Sequence, residues 1–295
     1  MSDSATVISG NGGLRAVRVQ APAASGLVYL HGGHVAEWMP AGGDEALWLS
    51  AKSQWAPGKP IRGGVPVCFP WFGPKQGDPA APAHGFARLK EWKLEGNAAG
   101  PDGAGVVTLR LESDEETRRL WPHDFALRLR VTFGRALEMR LELENRGHEA
   151  LAAEEALHTY FAVGDVRQVT IRGLEGATYI DKTDAMKEKP QDGPIRITSE
   201  TDRVYLRTTA TVAVEDPSWN GPRQKGRRIL IAKEHSTDTV VWNPWIAKAR
   251  AMADFGDEEW PGMLCVETCN VKEQAVRLSP GESRVMTARI EVQPL

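Results

Sequence analysis

Apolar side chains recur at every second position over much of the chain. Phe125, Leu127, Leu129, Val131 and Phe133 alternate with Ala126, Arg128, Arg130 and Thr132, and then Leu137, Met139, Leu141 and Leu143 alternate with Glu138, Arg140, Glu142 and Glu144. Successive side chains of a strand point to opposite faces, so this pattern predicts two half-buried strands, and Gly134-Arg135-Ala136 is short enough to close them into a hairpin. Further strand-like runs cover residues 27–30, 105–111, 169–171, 204–214, 228–232, 239–242, 263–269 and 283–292, with turn residues between nearly all of them. Helical signal is confined to Ser113-Asp114-Glu115-Glu116-Thr117-Arg118-Arg119-Leu120, one or two capped turns stopped by Pro122. Strands do not alternate with long amphipathic helices, which argues against a doubly wound parallel sheet. The expectation is an all-β chain: one large antiparallel β-sandwich with few short helices, forming a single domain over residues 1–295.

Composition narrows the partners. The chain of 295 residues carries 36 basic and 39 acidic side chains, a net charge of −3, with 25% charged and 41% hydrophobic residues, as in an ordinary globular protein. The near balance of charge, without a Lys/Arg cluster interleaved with aromatics, predicts no nucleic-acid partner. No apolar run approaches the ~20 residues that span a bilayer, so no membrane association is expected. The start, Met1-Ser2-Asp3-Ser4-Ala5-Thr6, has neither a basic nor an apolar leader-like stretch, and the three cysteines (Cys68, Cys265, Cys269) are too few for a disulfide framework. A cytoplasmic location is expected.

Nucleophile-elbow, phosphate-loop, zinc-protease and C-x-x-C patterns are absent. His31-Gly32-Gly33-His34 offers two imidazoles without a third ligand and reads as a polar turn, and the acidic run at residues 254–259 lacks the alternating oxygen donors of a calcium loop. Neither a metal nor an organic cofactor is expected. Cys265, Glu267 and Cys269 share one face of a predicted strand, so a carboxylate faces the interior between two small thiols. Such a Glu is costly unless it is hydrogen-bonded, paired with an Arg, or used in chemistry. Ala156, His158 and Tyr160 share another strand face, and His158 taken with Glu267 offers an acid–base pair whose ordinary pKa values, about 6.5 and 4.3, suit opposed proton transfers near neutrality. Two Gly/Pro-rich stretches carry arginines, Arg62-Gly63-Gly64-Val65-Pro66 running on to Phe69-Pro70-Trp71-Phe72-Gly73-Pro74, and His84-Gly85-Phe86-Ala87-Arg88. A guanidinium fork suits phosphate or carboxylate.

These segments, followed in order by Trp121-Pro122-His123-Asp124-Phe125, Leu157-His158-Thr159-Tyr160-Phe161, Thr201-Asp202-Arg203-Val204-Tyr205, Val241-Trp242-Asn243-Pro244-Trp245 and Cys265-Val266-Glu267-Thr268, resemble the aldose 1-epimerase (galactose mutarotase-like) superfamily, and within it the glucose-6-phosphate 1-epimerase branch. The resemblance implies a β-supersandwich and cofactor-independent interconversion of the α and β anomers of a hexose 6-phosphate. It implies Glu267 as the base that takes the C1 hydroxyl proton and His158 as the acid that protonates the ring oxygen. It implies sugar-binding roles for Arg62, His84 and Asp202. Arg62 and Arg88 are the choice for the phosphate, Trp71 or Trp242 for an apolar platform, and Asn243 is counted among the substrate contacts. The chain is expected to act as a monomer. Turnover of unphosphorylated aldoses and a non-catalytic sugar-binding module are the alternatives.

Overall fold

The computed structural model describes residues 5–295; residues 1–4, on which most of the leader reading falls, lie outside the described residues. Every ladder between named strands is antiparallel. The predicted hairpin forms as Phe125–Phe133 and Ala136–Asn145 around a turn at Gly134-Arg135. Leu127, Leu129, Val131, Phe133, Leu137, Met139, Leu141 and Leu143 are buried, while Arg128 and Glu142 meet in an exposed cross-strand ion pair at 3.3 Å. Burying each large apolar side chain stabilises by roughly 1.5–3 kcal/mol, against about 0.2–1 kcal/mol for an exposed ion pair, so the inward face fixes the register.

This hairpin lies in an eight-stranded sheet that runs from Thr170–Arg172 through Val212–Asn220, Lys225–Glu234 and Ser283–Pro294 to Ala136–Asn145, Phe125–Phe133, Gly105–Glu112 and Lys93–Ala99. A four-stranded sheet at the N-terminal end joins Ala5–Ser9, Arg15–Ala21, Ala24–Tyr29 and His34–Pro40. A second eight-stranded sheet carries the chemistry. Its order is Lys187–Pro190, Thr178–Asp181, Thr201–Tyr205, Asp238–Asn243, Met263–Asn270, Glu155–Leu157 and Val67–Cys68, with Tyr160–Ala162 also paired to Met263–Asn270. A two-stranded sheet pairs Leu151–Ala153 with Val276–Leu278, and one contiguous core draws on all four sheets, among them Val17, Val19, Leu129, Leu141, Leu151, Val240 and Val266.

The structure corrects two local expectations. The run 204–214 is two strands, Thr201–Tyr205 and Val212–Asn220, which belong to different eight-stranded sheets; Arg207 turns the chain between them with φ +53°. A second helix, Trp245–Ala251, follows Pro244, outside the one segment where helical signal is expected. The helix expected near residue 113 is present as Glu115–Leu120, with the Asp114 carboxylate accepting from the Thr117 N–H and the Thr117 hydroxyl accepting from the Asp114 N–H. No helix among the described residues is long and apolar enough to cross a membrane.

Candidate active site

The central strands Asp238–Asn243 and Met263–Asn270 are buried at every position. A sheet covered on both faces loses its polar/apolar alternation, so charged residues inside it stand out. The register aligns them in two transverse rows. Asp202 pairs with Trp242, Trp242 with Cys265, and Cys265 with Tyr160; two residues along, Val204 pairs with Val240 and Val240 with Glu267. Leu157 opposes Thr268 and Tyr160 opposes Cys265, so the same register carried across the break at His158-Thr159 sets His158 opposite Glu267. Residues directly opposed share a face. His158 Nε2 lies 3.3 Å from Glu267 Oε1, and the His158 ring stacks on Tyr160 with centroids 4.8 Å apart and planes 10° from parallel.

Loops close over this face. His84, at φ +62°, accepts at Nδ1 from the Gly73 N–H (3.3 Å), and its own N–H donates to the Gly73 carbonyl (2.7 Å). A neutral imidazole that accepts at Nδ1 carries its proton on Nε2 and can donate it to a ligand. The ring lies edge-on to Phe72 at 4.7 Å and faces His158 at 5.7 Å. Gly85 completes the bend at φ +74°, where a Cβ would overlap the Phe69 carbonyl.

A cavity of about 220 Å³ opens between the sheet and these loops. Its wall includes six of the sequence-selected residues, Arg62, His84, His158, Asp202, Trp242 and Glu267. Three others do not reach it. The Trp71 indole donates to the Pro82 carbonyl (2.9 Å) and packs edge-on against Phe86, tying the Gly/Pro loop to the core. Asn243 is fully buried, with its amide donating to the carbonyls of Trp260 and Met263 and accepting from the Trp245 N–H. The Arg88 guanidinium donates to the Ala83 carbonyl (2.8 Å), and its Nε has no partner. Of the two guanidinium groups expected at the phosphate, Arg62 is on the wall, held bidentately by Asp254 and bonded to the Tyr160 hydroxyl (2.9 Å), while Arg88 lies off the wall and bonds the loop that carries His84.

Sequence reasoning missed the lysines. Lys182 and Lys248 both line the cavity, Lys182 paired with Asp202 at 3.0 Å and Lys248 with Glu200 at 3.0 Å. Lys182 follows the short strand Thr178–Asp181 in a segment without any motif, and Lys248 lies on the unexpected helix. Only the strand pairing of Asp181 with Arg203 brings Lys182 beside Asp202.

Burial holds the Glu267 carboxyl well above its ordinary range, with the Asp202 charge adding to the rise and Lys182 and Arg88 opposing it. Burial likewise holds His158 well below the usual imidazole value, helped by the charges of Arg88 and Arg62. Both shifts favour the neutral pair, a carboxylic acid beside an imidazole. Moving one proton along the Oε1–Nε2 contact turns it into carboxylate and imidazolium, a base and an acid, without exchange with bulk water. Glu267 Oε2 and His158 Nδ1 are buried without partners, so both groups have hydrogen-bonding capacity left for a ligand.

An inward carboxyl and imidazole set for opposed proton transfers, among polar side chains on a β-sandwich, have the chemistry that a sugar epimerase needs. A sequence model of the aldose 1-epimerase family matches residues 15–291, and the chain belongs to that family. A protein of Escherichia coli (strain K12) provisionally named glucose-6-phosphate 1-epimerase is 40% identical over 247 residues, which cover 83% of this chain and 79% of the relative. A protein of Cenchrus ciliaris under the same provisional name is 39% identical over 264 residues, 86% and 77% of the two chains. The crystal structure of a protein from Salmonella typhimurium, provisionally described as a mutarotase, is similar at TM-score 0.87 and 33% identity, covering 99% of this chain and 97% of that one.

Proposed function

We propose that the enzyme interconverts the α and β anomers of a hexose 6-phosphate, D-glucose 6-phosphate foremost. The observation that carries this reading is the Glu267–His158 contact at 3.3 Å in a cavity whose wall also holds Arg62, Lys182 and Lys248. Glu267 as carboxylate takes the proton of the C1 hydroxyl while His158 as imidazolium protonates the ring oxygen, and the C1–O5 bond breaks. Rotation about C1–C2 presents the other face of the aldehyde, and ring closure returns both protons. Sugar hydroxyls that donate to Glu267 offset the desolvation of its charged form, so substrate itself favours the reactive protonation state. Asp202, His84 and Arg62 hold the sugar, Trp242 offers an apolar wall, and the lysines and Arg62 face the phosphate. The names of the E. coli and Cenchrus ciliaris relatives support the phosphorylated substrate. We take residues 1–295 as one domain, because the site draws on segments from Arg62 to Glu267, and three buried free cysteines fit a cytoplasmic enzyme.

One observation favours the unphosphorylated aldose as a second reading: each cavity cation already has a carboxylate partner. Polarimetry of glucose 6-phosphate against glucose separates the two. Glu267→Gln and His158→Asn should each slow anomer exchange by about 10²–10⁴-fold while circular dichroism stays unchanged; undiminished rates refute the mechanism.

A further inference from the structure

The three cations of the cavity wall differ in where their counter-ions sit. Arg62 is fixed to Asp254 and Lys248 to Glu200, and neither carboxylate lines the cavity. Lys182 is instead paired with Asp202, which itself lines the cavity beside Glu267. The Lys182 backbone is anchored by its N–H to the Asp202 carbonyl (2.9 Å), while its ammonium, on a side chain 28% exposed, has Asp202 as its ion-pair partner. Rotation of the side chain alone would release it.

We propose that Lys182 makes turnover depend on the substrate's phosphate: it pairs with Asp202 until a phosphorylated sugar binds and then moves to the phosphate, which frees the Asp202 carboxylate for the sugar next to Glu267. The Lys182 ammonium lies 3.0 Å from Asp202 Oδ2 and compensates its charge. A phosphate dianion competes for that ammonium with twice the charge. Once Lys182 leaves, Asp202 regains an acceptor for a sugar hydroxyl, and its negative charge faces Glu267 uncompensated. That charge raises the proton affinity of Glu267 and so opposes its carboxylate form, while the freed Asp202 acceptor fixes the reacting sugar; the gain in rate comes from that positioning. Binding energy from the non-reacting end of the substrate thereby appears in kcat. A phosphate that served only as a handle would change KM alone.

The inference rests on the phosphorylated-substrate reading, and the experiment keeps the two apart. Xylose, an aldopyranose without the C6 carbon, is assayed by polarimetry with and without phosphite dianion, after subtraction of the uncatalysed and phosphite-catalysed exchange. Phosphite, at concentrations that inhibit glucose 6-phosphate turnover, should raise the enzymatic kcat for xylose roughly tenfold or more. Lys182→Met leaves Asp202 free at all times, so it should abolish that activation by raising the phosphite-free kcat for xylose to the activated level, and should raise KM for glucose 6-phosphate. Preference for glucose 6-phosphate over glucose without phosphite activation overturns the exchange and leaves the proposed substrate standing. Equal turnover of glucose and glucose 6-phosphate overturns both. Phosphite activation that survives in Lys182→Met, or a phosphite-free kcat for xylose that does not rise in that variant, also overturns the role of Lys182.

Discussion

Glu155 is a carboxyl that the mechanism does not use, and its burial predicts a measurable pH dependence of stability. It is 1% exposed at the strand pair with Asn270; Oε1 accepts from Asn270 Nδ2 at 2.8 Å, and Oε2 has no partner. Burial pushes its pKa from 4.5 up to about 7, against the opposing Asn270 hydrogen bond and the more distant Arg284 charge. Because the folded value lies above the unfolded one, this carboxyl's contribution is fully present below about pH 4.5 and is lost as pH rises through about 7. At about 1.4 kcal/mol per pH unit, that interval amounts to about 3 kcal/mol at its limit. Most of that loss falls between pH 5 and pH 8, so the change across that window is about 2–3 kcal/mol. Glu155→Gln keeps the acceptor for Asn270 and the shape of the protonated acid while removing the charge. Urea denaturation of both proteins at pH 5, 6, 7 and 8 should show the variant gaining on the parent by about 2–3 kcal/mol between the ends of the series, whatever other groups titrate in common. Parallel curves, or a variant that loses ground as pH rises, refute the reasoning that desolvation governs this group.

Asn243→Ala removes two donated hydrogen bonds and one accepted bond from a fully buried site, and should cost about 2–4 kcal/mol in thermal or urea unfolding while glucose 6-phosphate turnover per folded molecule stays near that of the parent. Arg88→Ala should slow glucose and glucose 6-phosphate alike, because the loss acts through the His84 loop and the charge near Glu267; a penalty confined to the phosphorylated sugar in steady-state kinetics would return Arg88 to the phosphate. Gly85→Ala should cut activity at least tenfold, since the new Cβ meets the Phe69 backbone at φ +74° and His84 must move with it, whereas Gly77→Ala, at φ +78° with open space around it, should cost about 1 kcal/mol of stability and leave the rate alone.

The hairpin of Phe125–Phe133 and Ala136–Asn145 was legible because one face of it meets solvent, so every second side chain declares its side. Met263–Asn270 and Asp238–Asn243 are covered on both faces, and there the alternation carries no information about which way a residue points. What remained visible was the anomaly of Glu267 between Cys265 and Cys269. Its meeting with His158 depended on strand order, since the two strands pair across a long stretch of sequence and the contact falls at a break in one of them. Arginines in Gly-rich loops drew attention through composition, yet Arg88 spends its donor on the Ala83 carbonyl. Lys182, in a segment with no motif, reaches the cavity because Asp181 pairs with Arg203.

Polar residues inside buried strands are the readable signal in such a sheet, but polarity alone does not sort them. Asp202, Asn243, Glu155 and Glu267 all lie within buried stretches, and only Asp202 and Glu267 line the cavity. Hydrogen-bond satisfaction separates Asn243, whose amide is fully used by the backbone. It does not separate Glu155, which has an unpartnered oxygen just as Glu267 does. The difference there is access. Strand parity puts Glu155 on the opposite sheet face from His158, against Met286 of the other eight-stranded sheet through Asn270, whereas Glu267 opposes His158 beneath the loops. A buried carboxyl with spare hydrogen-bonding capacity becomes a reagent only where the fold also leaves room for a substrate; without that room, the same desolvation appears as a pH-dependent cost in stability. Measured together, the stability of Glu155→Gln and the turnover of Glu267→Gln would show one physical effect with two outcomes, set by which face of one sheet each residue occupies.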